Sequence, residues 1–448
     1  MGYFPEKFTI AWLRNSYRSK EVTPAEVAEE IIRRADRYRE YHIWIQEPSA
    51  GLMQNYIENL PQDPSSLPLW GIPFAIKDNI DLEQVPTSAA CPDYAYIPRE
   101  NAAVAEWLIR VGAIPVGKTN MDQFATGLVG TRSPYGEVKN AMNPELISGG
   151  SSSGSAVAVA LGMAAFALGT DTAGSGRVPA ALNGLVGYKP SPGAWSVRGV
   201  VPACASLDCM SVFANTLADA KEIDTQARGY DSFCCWSRKY KQQEASVPTK
   251  ICLPYNNIAF FGEYADIYEP KWEEAKKRIT GLGIPVEFID YSIFAEAAKV
   301  LYEGPWVAER WCDLGGFVEQ NPGKIFPVTE KILRGGAKEE YTAAGTFKAL
   351  HKIQELKRKA KIMLEDAVLV LPTAGGTFTR KEVREKPVET NSMMGLYTNH
   401  CNLLELCAAA VPQNVEDKEL PFGITMFALA EEESLVWGLA EKFLEEER

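Results

Sequence analysis

Histidine is almost missing from this chain: there are three in 448 residues, His42, His351 and His400. None of them sits in a short motif with a serine, a cysteine or a metal-ligating partner. A Ser-His-Asp triad need not be local in sequence, so the scarcity weakens that reading without removing it. H-E-x-x-H is absent, and the nine cysteines are scattered, odd in number and without a C-x-x-C pair. The sequence therefore calls for no metal, and a reduced, cytosolic chain is the expectation. Positive charge is short, with 46 Lys and Arg against 58 Asp and Glu, for a net charge of −12. That balance argues against a nucleic-acid partner and against an anionic membrane, yet leaves room for a few local arginines to hold a small anion. Neither G-x-x-x-x-G-K-[ST] nor G-x-G-x-x-G after a strand occurs, so phosphate cradling is not expected and no cofactor is called for. The N-terminus lacks the pattern of a signal peptide. The apolar run from Ala156 to Gly169 covers 14 residues, too few to cross a bilayer, and reads as one core helix.

What is present alternates. Thr23-Pro24-Ala25-Glu26 has the order of an N-cap, a first-turn proline and a capping-box glutamate, and "VAEEIIRRADRY" follows with an apolar stripe at helical spacing. The short apolar runs "IPFAI" and "AIPVG" predict buried strands, ending at Lys77 and just before Lys118. Residues 250–300 read as strand, helix, strand, helix. A long polar helix is expected around 338–364, before the apolar strand "AVLVLPT". "FGITMFAL" and a closing helix complete the chain. Strands without polar alternation, interleaved with helices, imply an α/β fold whose sheet is covered on both faces. No internal repeat appears, and the polar stretch 229–250 reads as an excursion from the core.

With histidine scarce, serine draws attention. "SGGSSSGS", residues 148–155, looks like a linker but opens directly onto the apolar run. A second small-residue segment, Thr170-Asp171-Thr172-Ala173-Gly174-Ser175, follows that run. Consecutive small residues let several backbone N–H groups point at one spot, which is what an oxyanion needs. Ser175 can then serve as a nucleophile if a base is near. Without histidine that base is a lysine or a carboxylate, and a lysine acts as a base only when burial or a neighbouring cation keeps it neutral. Lys77 and Lys118 share the same local setting, and the residues alone leave both open.

"GGSSSGSAVAVALGMAAFALGTDTAGSGRVPAALNGLVGYKPS" resembles the amidase signature, and "GIPFAIKDNID" resembles the lysine-bearing segment of the same family. The resemblance implies an α/β/α sandwich with a central twisted mixed β-sheet and a Ser–cis-Ser–Lys triad. Motif by motif, the lysine falls on Lys77, the cis-serine on Ser151 and the nucleophile on Ser175, 24 residues after Ser151. The oxyanion amides fall on Thr172, Ala173, Gly174 and Ser175; Ala173 stands where many members have glycine. The peptide bond between Gly150 and Ser151 is expected to be cis.

A narrower likeness covers most of the chain. "KTNMDQFATGLVGTRSPYG", "VPACASLDC", "LYEGPWVAER", "YTNHCNLLELCAAAVP" and "LPFGITM" are similar to allophanate hydrolases. That resemblance implies release of ammonia from allophanate, the urea-1-carboxylate made by urea carboxylase. It places Tyr302, Arg310 and Gly127 at the substrate, and implies a homodimer. Ala205 departs from the arginine expected at its position. The chain reads as a single domain over 1–448, with a catalytic core at about 65–215 completed by 250–448, and without the extra C-terminal domain of many such hydrolases. A related hydrolase of carboxybiuret or simple amides, the catalytic component of a tRNA-dependent amidotransferase, and a non-catalytic scaffold are the rival readings.

Overall fold

A computed structural model describes residues 4–241, 243–256, 258–413 and 420–445; Tyr302 and Glu303 are described by backbone alone. Among the described residues eleven strands form one sheet: β1 Trp44–Gln46, β2 Pro73–Lys77, β3 Ile114–Thr119, β4 Phe166–Asp171, β5 Val186–Lys189, β6 Cys209–Ala214, β7 Lys250–Pro254, β8 Val286–Ile289, β9 Ala367–Pro372, β10 Cys407–Pro412 and β11 Gly423–Ala428. Their order is β1-β3-β2-β4-β6-β5-β10-β11-β9-β7-β8. The sheet is mixed. Strands β3, β2 and β4 run parallel, as do β8, β7 and β9, and the strands between them pair antiparallel.

Strands β2, β4, β6 and β11 are buried along their whole length, because helices cover the sheet on both sides. One apolar cluster joins β2, β4 and β6 to the helices Ile10–Arg18, Pro24–Arg37 and Ser153–Ala160. A second packs β9 against the helices Ser292–Glu303 and Ala343–Met363. The capping box at Thr23 forms as its residues predict, each partner satisfying the other's backbone N–H. The described residues of the stretch 229–249, which joins the helix Leu217–Ala227 to β7, lie outside helix and strand.

The apolar run Ala156 to Gly169 is not one helix. It divides into the end of the helix Ser153–Ala160, a turn, and the start of β4. Gly162 turns the chain with φ +69°, and a Cβ there would fall 2.1 Å from the Glu6 carbonyl oxygen. Only glycine accepts both conditions. Arg34 seals the turn by donating to the Gly162 and Glu6 carbonyls. A continuous apolar run carries no period that separates a buried helix from a buried strand, and the expectation of a single helix failed for that reason.

Since β3, β2 and β4 are parallel, their carboxyl ends meet at one edge of the sheet. Lys77, Thr119 and Asp171 close these three strands. Crevices at the carboxyl ends of parallel strands are where α/β folds gather their chemistry.

Candidate active site

Lys77 is wholly buried, and its Nζ lies 2.7 Å from Ser151 Oγ and 2.8 Å from Thr170 Oγ1. Burial drives its pKa down to about 7, against the opposing pull of Asp208, Asp122 and Asp171. Lys118, its rival from the sequence, is equally buried but occupied elsewhere. Its Nζ stands 3.5 Å from Asp78 Oδ1 and donates to Thr87 Oγ1 and the Pro86 carbonyl. Lys77 reaches a serine; Lys118 does not.

The peptide bond between Gly150 and Ser151 is cis. A Cβ on Gly150 would fall 2.0 Å from Asp122 Oδ2, so the turn before Ser151 admits no side chain. Asp122 organises this corner. Its carboxylate accepts from the amides of Val129, Gly130 and Arg132, and its own N–H donates to the Ser151 carbonyl. The other serines of the segment attach the helix Ser153–Ala160 to its surroundings. Ser152 donates to the Thr170 carbonyl and Ser155 to the Leu168 carbonyl, both on β4, and Ser153 donates to the Asn120 carbonyl. Helix and strand β4 together set the spacing between the Ser151 turn and the loop that follows β4.

That loop carries Thr172, Ala173, Gly174 and Ser175. Among the described residues the amides of Ala173, Gly174 and Ser175 donate to no backbone or side-chain acceptor. Gly174 has φ +151°, and a Cβ there would meet Thr398 Oγ1 at 2.3 Å. The loop is braced from below. Asp171 and Arg177 form a fully buried two-pronged ion pair, Nε to Oδ2 at 2.9 Å and Nη2 to Oδ1 at 3.0 Å, and Gly176 N–H also donates to Oδ2. Asn402 donates to the Asp171 carbonyl, and Arg177 to the Thr398 carbonyl. Ser175 is 3 % exposed, and among the described residues no hydrogen bond joins it to Ser151 or Lys77. A buried lysine hydrogen-bonded to one serine, and a second buried serine on a loop with unpaired amides, are the groups that attack on a carbonyl carbon requires.

Arg310 lies on the helix Trp306–Gln320, is 3 % exposed, and donates to Thr126 Oγ1 at 3.1 Å. Among the described residues no carboxylate pairs with it. Gly127 adjoins Thr126; a Cβ on it would meet Asp122 Oδ2 at 2.6 Å, which gives this glycine a packing role independent of any ligand. Tyr302 falls in the helix Ser292–Glu303, and its side chain lies outside the described residues. Sequence reasoning missed Thr170, Asp122 and Asp208. Thr170 opens the small-residue segment already singled out, whereas no local signal marks the two carboxylates as neighbours of Lys77.

The sequence profile of the amidase family matches residues 26–436, and the chain belongs to that family, whose chemistry is hydrolysis of amide C–N bonds. Within it the chain is 44% identical over 378 residues to the urea amidolyase of Saccharomyces cerevisiae, covering 82% of this chain and 20% of that protein. A solved Kluyveromyces lactis allophanate hydrolase superposes with a TM-score of 0.91 at 38% identity, over 98% of this chain and 72% of that one. A glutamyl-tRNA(Gln) amidotransferase component of Acidobacterium capsulatum is 29% identical over 431 residues, 88% of this chain and 89% of that protein. The chain spans about a fifth of the length of the urea amidolyases it matches. Among the described residues no helix is long and apolar enough to cross a membrane, and no cluster of His, Cys, Asp and Glu has the arrangement of a metal site.

Proposed function

We propose that this chain hydrolyses allophanate, releasing ammonia through an acyl-enzyme on Ser175. The observation that carries the choice of substrate is Arg310, a buried guanidinium with no carboxylate partner among the described residues. Burying an unpaired charge costs several kcal/mol, a cost an incoming carboxylate offsets. A planar fork also orients that carboxylate as well as attracting it. The likeness to an allophanate hydrolase and to a urea amidolyase supports the same choice.

In the proposed reaction Arg310 and Tyr302 hold the substrate carboxylate beside Gly127, and Ser175 Oγ attacks the terminal amide carbonyl. Ser151 takes the Ser175 proton and hands its own to neutral Lys77. The amides of Thr172, Ala173, Gly174 and Ser175 receive the oxyanion. As the C–N bond breaks, the proton returns through Ser151 to the departing ammonia. Water then attacks the acyl-enzyme by the same relay, and N-carboxycarbamate leaves. We place the chain in the cytoplasm as a homodimer, supplied by a urea carboxylase. The nine free thiols, seven of them buried, support a reducing compartment.

Purified protein given allophanate should release one equivalent of ammonia fast, and a second slowly as the product decays. Biuret derivatives and simple amides should react far less well; equal rates on a neutral amide would overturn the choice of substrate. The pH dependence has a definite sign. Only neutral Lys77 accepts a proton, and its pKa is about 7. The rate should therefore rise with pH through about 7 and level off above, as measured by initial rates of ammonia release.

A further inference from the structure

Asp208 is an unused carboxylate at the centre of this site. It is 9 % exposed and stands one residue before β6. Oδ1 accepts from the Thr172 hydroxyl, while Oδ2 accepts from the amides of Ala203 and Cys204 at 2.7 and 3.1 Å. One oxygen thus holds the first residue of the loop that carries Ser175, and the other holds the loop 203–208. The loop 203–208 is tied in turn to the helix that bears Arg310. Glu309 accepts from the Ser206 amide and hydroxyl at 2.7 Å and from Cys204 Sγ at 3.0 Å. Hydrogen bonds and the loop 203–208 therefore connect the Thr172 hydroxyl, through Asp208, to the helix that carries Arg310.

Position adds a second effect. Of the three carboxylates whose charge reaches Lys77, Asp208 acts most strongly, ahead of Asp122 and Asp171. The other two are engaged on their own: Asp171 with Arg177, and Asp122 with three backbone amides. The titratable groups around Asp208 are Lys77, Arg310, Cys204 and Cys209, and burial pushes both thiols up so that they stay neutral near pH 7. Burial likewise raises Asp208 itself, to about 6, so that it is largely ionised where Lys77 titrates.

We propose that Asp208 is a positioning residue: its carboxylate fixes the oxyanion loop through the Thr172 hydroxyl and ties it to the loop 203–208 through the Ala203 and Cys204 amides. This inference rests on the Lys77–Ser151–Ser175 reading given under Proposed function, and its test needs no knowledge of the substrate. The readout is the rate at which a fluorophosphonate labels Ser175, followed against pH in the intact chain.

Asp208→Asn weakens the acceptor that joins the two loops. The plateau rate of labelling should fall about tenfold. A plateau within twofold of wild type overturns the positioning role. Thr172→Val keeps the carboxylate and breaks only its link to the loop. Its plateau should fall about tenfold while Thr172→Ser restores the rate. A Thr172→Val plateau within twofold of wild type overturns the positioning task, and this pair decides even where Asp208→Asn fails to fold. Wild-type protein that does not label at all removes the serine reading itself. Labelled wild type with unresponsive variants removes Asp208 alone.

Discussion

Lys77→Met should lower ammonia release by about 10³–10⁴-fold and leave the chain folded. The loss follows from the proposed proton path, because without an amine nothing would take the proton that Ser151 passes on, and Ser175 would be left a neutral alcohol. Survival of the fold follows from the surroundings of the amine. Methionine fills a similar volume in a flexible way, so no large cavity opens. The three carboxylates that feel Lys77 keep their own donors: Asp171 has Arg177 and the Gly176 amide, Asp122 has three amides, and Asp208 has Thr172 and two amides. What is lost is one partner each for Ser151 and Thr170, and Thr170 still has Asn79 at 3.4 Å. Such losses cost about 1–3 kcal/mol. Circular dichroism and a thermal melt would check the fold, and an ammonia assay the rate. Activity near wild type would place the base elsewhere.

Arg310→Gln should raise KM for allophanate by about 10²–10³-fold, with a smaller fall in kcat. Truncating one partner of a buried charge pair costs about 2–5 kcal/mol, and each 1.4 kcal/mol is tenfold in an equilibrium constant. Since Arg310 hydrogen-bonds Thr126 and forms no ion pair among the described residues, the variant breaks no ion pair there and the melting temperature should hold. Rates on neutral amides should not fall, as they make no use of the charge. Arg310→Lys should land between the two, because an ammonium keeps the charge but cannot present the fork. Steady-state kinetics on one carboxylated and one neutral substrate measure both effects. A KM unchanged in Arg310→Gln would mean that the carboxylate is held by another group.

Much of this was legible in the chain. The scarcity of histidine turned attention to serine and lysine, and glycine marked the places where the backbone has no room for a side chain. The cis bond before Ser151 was expected from the resemblance to the amidase signature. The strand ending at Lys77 was legible, and so was the strand "AIPVG", though it runs two residues further, to Thr119, than its apolar run. The division of Ala156 to Gly169 into helix, turn and strand was not legible, since a run that is apolar on every face has no period to read.

By itself, then, the sequence determined the alternation of buried strands and covering helices, the two small-residue turns, and the set of groups able to carry a proton. Choosing among those groups was left to the tertiary structure. Lys77 ends β2, and Lys118 is the last residue but one of the neighbouring parallel strand β3, in like surroundings. They part only because β2 also adjoins β4 and lies under the Ser151 turn, whereas the end of β3 faces Asp78. The carboxylates whose charge reaches Lys77, those of Asp122, Asp171 and Asp208, come from three separate segments far from it along the chain. Local sequence encodes backbone preference and burial, both short-ranged. Proton affinity depends on charges summed through space, and only the folded sheet brings those charges together.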